Sequence, residues 1–259
     1  VAGDEIRLPV VCLPGLTRNH RDFAPLVPHL APKRRVLCLD MRGRGESDRD
    51  PEPSHYNALT EAKDVLAVLD ALGVGRAVFI GTSRGGIQIM LLAVIDRARI
   101  AGAVLNDIGP RVEITGLSRI VATLGHCSEG YADWAAAAAA VRAANITQLP
   151  GLSDAEWDRM TRATMREANG RPVPDYDWRL VQGARLATDE GLPEMWPQFE
   201  DLAGTPLLAI HGALSDILSA GTLAEMQTRI PAMHTLTLPH RGHVPFLDEP
   251  EAVAAIEAL

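Results

Sequence analysis

Short apolar runs and longer stretches of helical spacing alternate from Val10 to Asp107. Val10–Leu13 is wholly apolar and is stopped by Pro14-Gly15. A short apolar run bounded by turn residues reads as a strand buried on both faces. Val36–Asp40, Arg76–Ile80 and Ile100–Asn106 read the same way. Between them, Asn57–Leu72 sets Leu59, Val65, Leu66 and Leu69 at helical spacing and stops at Gly73. Arg84–Ile95 predicts a second helix, and Phe23–Leu30 a short one carrying Pro25 and Pro28.

The alternation lapses over 109–203. That segment lacks β-like runs and predicts helices and loops, including the alanine tract Ala135–Ala140. It holds Trp134, Trp157, Trp178 and Trp196, with Tyr131 and Tyr176. The alternation then resumes: Pro206–Ile210 strand, Thr222–Ile230 helix, His234–Leu238 strand and Pro250–Leu259 helix. Strands alternating with helices predict an α/β fold with a mostly parallel, doubly wound sheet. Residues 1–108 and 204–259 would form its core, with 109–203 inserted as a helical cap. The four tryptophans are then either the cap's own small core or candidate substrate-binding residues under a lid.

One polar interruption carries chemistry. Gly81-Thr82-Ser83-Arg84-Gly85 fits G-x-S-x-G between a predicted strand and a predicted helix. A sharp turn there lifts the serine hydroxyl above the sheet, and flanking glycines leave room for it. The N-terminus of the following helix favours developing negative charge, which makes the Arg84 N–H one oxyanion donor. A serine nucleophile needs a base oriented by an acid, and in such sheets they follow in the order serine, acid, histidine. Asp216, after the Pro206–Ile210 strand, and His243, after the last strand, are the expected partners. Asp107 is the alternative acid and His240 the rival base. The Leu13–Asn19 loop is the expected source of a second oxyanion donor, the Leu16 N–H.

These pieces resemble the α/β-hydrolase superfamily over nearly the whole chain: LPGLTRN at 13–19, DMRGRGESD at 40–48, GTSRGG at 81–86, HGALSD at 211–216 and HRGHVPFLDEPE at 240–251. The resemblance implies a Ser83–His243–Asp216 triad, an oxyanion hole from Leu16 and Arg84, and a cap over 109–203. Two features depart from the family. Only nine residues precede Val10, so the usual opening hairpin is short or missing, and Arg84 stands where relatives carry Met, Leu or Gln. Serine rather than aspartate at the elbow favours acyl chemistry, hence a carboxylesterase or lactonase. C–C bond hydrolysis of ring-cleavage products, or ligand binding without turnover, are the alternatives.

Composition narrows the partners. The chain has 259 residues, 47% of them hydrophobic, and a formal net charge of −8, which argues against a nucleic-acid partner. Residues 18–49 run against that balance, with eight basic side chains against four acidic. Arg18 and Arg21 there raise an anionic substrate as a further expectation. Cys12, Cys38 and Cys127 lack metal or disulfide spacing, and no apolar run is long enough to span a membrane. The expectation is a cytoplasmic enzyme acting on a small molecule, with no cofactor and no metal.

Overall fold

The computed structural model describes residues 8–124, 130–182 and 191–259. Cys127 lies outside them. Eight strands occur in these residues: β1 (Val10–Leu13), β2 (Val36–Cys38), β3 (Ala77–Thr82), β4 (Ile100–Asn106), β5 (Met165–Ala168), β6 (Arg171–Pro174), β7 (Leu207–Gly212) and β8 (His234–Leu238). Six form one sheet in the order β2-β1-β3-β4-β7-β8, and every neighbouring pair is parallel. The expected mostly parallel, doubly wound sheet is therefore present.

Both faces of the sheet are buried, as the wholly apolar runs require. Val11, Leu13, Phe79 and Leu105 point to one side. There they meet helix α2 (Ala58–Ala71) through Val65 and Leu69, and helix α3 (Arg84–Asp96) through Ile89 and Leu92. Val10, Cys12, Ile80 and Val104 point to the other side. They meet Leu30 of helix α1 (Val27–Leu30) and Val253 and Ile256 of the final helix (Pro250–Glu257). The helix expected over Phe23–Leu30 is broken into a 3-10 turn, His20–Phe23, and the single turn of α1. Pro25 and Pro28 lack the N–H groups that a continuous helix would need.

The segment between β4 and β7 contains α4 (Ile114–Thr123), α5 (Trp134–Asn145), α6 (Asp154–Thr164), the β5–β6 hairpin and α7 (Trp196–Glu200). The hairpin corrects the expectation of helices and loops alone. Ala168 pairs with Arg171 across Asn169-Gly170, both at positive φ. Asn-Gly flanked by strands is the residue pair that a tight two-residue hairpin turn demands, so the signal was present in the sequence. Val141, Leu149, Leu152 and Trp157 form a small core of this segment's own. Its last helix behaves differently: Trp196, Phe199 and Leu202 pack into the main core beside α3. Helix α8 (Ala220–Arg229) precedes β8, and α9 is the final helix (Pro250–Glu257). Among the described residues no helix is long and apolar enough to cross a membrane.

Candidate active site

The register aligns Leu13 with Gly81, Thr82 with Asn106, and Asn106 with Ile210. The carboxyl ends of β1, β3, β4 and β7 therefore share one rim, where open α/β sheets gather their ligands. Ser83 stands on it between β3 and α3, with φ 51° and ψ −114°. A non-glycine residue held there is strained, and its neighbours leave no slack. A Cβ on Gly81 would lie 2.5 Å from the Gly85 carbonyl carbon, and one on Gly85 would strike the Leu13 carbonyl. The two glycines let β1, β3 and α3 meet closely enough to expose the hydroxyl.

His243 reaches this serine from the loop after β8: its Nε2 lies 2.9 Å from Ser83 Oγ. The other ring nitrogen, Nδ1, lies 2.8 Å from Asp107 Oδ2. Asp107 follows β4 directly and is fully buried. Its Oδ1 accepts the Gly212 N–H at 2.8 Å, and its Oδ2 accepts the Ser215 hydroxyl at 2.6 Å. His240 is exposed and does not line the site.

Asp216 does not face the histidine ring as expected. Arg119 of α4 grips it, Nε to Oδ2 at 2.6 Å and Nη2 to Oδ1 at 2.9 Å. Partial burial works against its charge, but the Arg119 bonds outweigh that and hold its carboxyl below the ordinary range. The physical reason lies in the sheet. Both acids satisfy the order serine, acid, histidine, but β4 adjoins β3 whereas β7 is one strand farther out. Ser215 also caps the turn after β7, accepting the Ile217 and Leu218 N–H groups at 3.1 Å, which leaves Asp216 to α4.

The two oxyanion candidates come from the loop after β1 and the start of α3. Gly15 and Leu16 border the same cavity as Ser83. The Arg84 N–H opens α3, where no intrahelical acceptor exists for it. Behind them runs a buried charge network. Glu61 of α2 accepts Arg44 Nη1 at 2.7 Å, Arg84 Nε at 2.7 Å and Gln88 Nε2 at 2.8 Å. Arg44 also donates Nε to the Leu16 carbonyl at 2.7 Å. One brace thus ties the Leu16 loop to the first residue of α3.

Burial alone would raise the Glu61 pKa, but Arg44 and Arg84 outweigh it and bring it from 4.5 to about 2. A depressed carboxylate pKa contributes stability above the unfolded value and loses it as pH falls toward the folded one. Glu61→Gln should therefore cost about 3–5 kcal/mol in denaturant unfolding at neutral pH, because the buried Arg44 and the partly buried Arg84 lose their charge partner. The gap from wild type should narrow between about pH 4.5 and pH 2. A gap that stays constant over that window would contradict the assignment.

Ser83 and His243 open into a cavity of about 250 Å³ roofed by the inserted segment. None of the four tryptophans lines it, which corrects the substrate-binding expectation, while Trp134 and Trp157 take the alternative place in the segment's own core. Trp157 is buried in the segment's core and Trp134 packs against it; Trp196 belongs to the main core, and Trp178 is exposed. Tyr131, Tyr176, Met160, Met165 and Phe246 line the cavity instead. Of these, Tyr131 and Tyr176 stood out in the sequence only as aromatic residues of the segment, because placement over the cavity has no local signature. Arg18 also borders the cavity but is chelated by Asp22, and Arg21 pairs with Asp175. Arg42 pairs with Asp50 and Asp64. The local basic surplus is thus matched by acids, many from elsewhere in the chain.

Comparison with known proteins agrees with this architecture. A family model described as the alpha/beta hydrolase fold matches residues 9–250. The chain is 29% identical to a 3-hydroxybutyrate-oligomer hydrolase of Cupriavidus necator, over 95% of this chain and 85% of that protein. It is 27% identical to 1H-3-hydroxy-4-oxoquinoline 2,4-dioxygenase of Pseudomonas putida, over 98% and 91%. The crystal structure of an alpha/beta hydrolase from Novosphingobium aromaticivorans superposes with TM-score 0.90 at 44% identity, covering 99% of this chain and 90% of that one.

Proposed function

The chain belongs to the α/β-hydrolase family, and from that premise we propose that it is a serine hydrolase cleaving an ester, lactone or related acyl bond of a small molecule. The observation that carries the reading is the unbroken relay Ser83 Oγ–His243–Asp107, at 2.9 Å and 2.8 Å. His243 takes the Ser83 proton through Nε2 as Oγ attacks the acyl carbon. Asp107 accepts a hydrogen bond from the Nδ1–H, fixing the tautomer and stabilising the imidazolium. The Leu16 and Arg84 N–H groups receive the oxyanion, each worth about 3 kcal/mol in sites of this type. His243 then protonates the departing alkoxide, and water repeats the sequence on the acyl-enzyme. Serine, rather than a carboxylate, at the elbow is what favours this over alkyl-ester chemistry.

The cavity limits the substrate. At about 250 Å³ it is smaller than the ~300–1,000 Å³ that drug-sized ligands need. Its arginines already hold carboxylates, so an anionic substrate would compete with Asp22 for Arg18. Short, uncharged acyl groups fit best, and a relative named for 3-hydroxybutyrate oligomers is in keeping with short units. A panel of acyl esters, graded in length and charge, tests this. The highest kcat/KM is expected for short neutral esters, with turnover lost in His243→Ala. No ester turnover above that variant, together with cleavage of a vinylogous diketone, would favour the C–C hydrolase reading. Tight binding with no turnover of any kind would favour a binding protein.

A further inference from the structure

Gln148 lies in the inserted segment between α5 and α6 and is 7% exposed. Its side-chain Oε1 accepts the backbone N–H of His243 at 2.9 Å. Its own backbone carbonyl accepts the preceding N–H, that of Gly242, at 2.6 Å. One residue therefore holds two consecutive peptides of the histidine loop, using both of its carbonyl oxygens. The fit leaves no room for a side chain. A Cβ on Gly242 would collide with Gln148 Oε1 and lie 2.8 Å from the Gln148 carbonyl oxygen. The loop's opposite side is equally tight: a Cβ on Gly212, at the end of β7, would lie 2.5 Å from the Gly242 carbonyl oxygen. Gln148 is itself fixed, its N–H bonded to the Asn145 carbonyl at 3.0 Å.

From this contact we propose that Gln148 is a positioning residue for the reaction, through which the inserted segment sets the place of the His243 imidazole. The inference rests on the serine-hydrolase reading. His243 must satisfy Ser83 and Asp107 at the same time, both in the plane of one ring. The ring inherits its position from the peptide that Gln148 holds. A displacement of about 1 Å at a reacting group lowers rate by about 10²-fold, so a small drift of this loop is expensive. The oxyanion loop is tied to the same segment, since Asn19 Nδ2 donates to the Ala163 carbonyl at 2.9 Å. The segment thus acts as a scaffold for two catalytic loops as well as a roof.

Gln148→Met removes the acceptor while keeping the chain length, and Gln148→Glu keeps an acceptor oxygen. Ester turnover, the low-field NMR signal of the His243 Nδ1 proton and the unfolding midpoint are measured for each. Gln148→Met should lower kcat about 10- to 100-fold with KM little changed, and should weaken or shift the low-field signal. Gln148→Glu should recover most of the kcat, and Gly242→Ala, which pries at the same contact, should reproduce the loss in case Gln148→Met does not fold. Wild-type kcat in Gln148→Met or in Gly242→Ala would overturn the proposal. So would equal losses in Gln148→Met and Gln148→Glu, or a loss that accompanies a lowered midpoint while the Nδ1 signal stays unchanged. A wild type that turns over no ester would overturn the serine-hydrolase reading itself, which separates the two failures.

Discussion

Asp107→Asn should lower kcat on a short ester by about four orders of magnitude, whereas Asp216→Asn should leave it within a small factor of wild type. The carboxylate of Asp107 accepts a hydrogen bond from the Nδ1–H of His243, which keeps the proton on Nδ1 and leaves Nε2 bare to receive the serine proton. An asparagine amide at 107 can turn its N–H toward Nδ1 and so stabilise the opposite tautomer. Nε2 would then carry a proton toward Ser83 and could not act as the base. Asp216 serves a different partner. Its pair with Arg119 is partly exposed, 26% on each side chain, and such pairs contribute about 0–1 kcal/mol. Breaking it should move the unfolding midpoint slightly. Paired steady-state measurements decide the matter: a larger kcat loss in Asp216→Asn than in Asp107→Asn would refute the assignment of the acid.

Ser83→Ala should remove on the order of 10⁶ from kcat, since members of a relay act as one unit. Its effect on stability should be small. Alanine keeps the Cβ that the turn already accommodates at φ 51°, and the hydrogen bond that it removes is the one to His243. Unfolding in denaturant should therefore match wild type, and binding of a slow ester should persist while its cleavage stops. Full turnover in this variant, with the fold intact, would mean that water or another group attacks the substrate.

Much of this was legible in the residues because the signals are local. Apolar runs closed by Pro-Gly or Gly mark the central strands, and Gly81 and Gly85 announce a turn that only small residues can make. The pairing of Ser83 with His243 followed from such local patterns, which also nominate Leu16 and Arg84 as oxyanion candidates. Asp216 was preferred to Asp107 from the motif order, although each is an acid placed after a strand and each precedes the histidine. What separates them is which strand lies next to β3, a non-local pairing that chain order leaves open. The tryptophans misled for a related reason. Trp157 and Trp196 are large apolar groups that fill cores, while the cavity wall draws on Tyr131, Tyr176 and Phe246 from separate elements. The β5–β6 hairpin was within reach: Asn169-Gly170 carries its turn, but the flanking Arg166, Glu167 and Arg171 hide the strands in charge. The role of Gln148 has no sequence signature at all, since it arises from a contact between residues 148 and 243 across the fold.

The central claim is that Ser83 is a nucleophile activated by His243. The most direct measurement is the site of covalent capture by a fluorophosphonate, read by peptide mass mapping. One adduct per chain is expected on the peptide containing Ser83, absent in Ser83→Ala and formed far more slowly in His243→Ala. No adduct on the folded wild type, or an adduct that persists in Ser83→Ala, would contradict it.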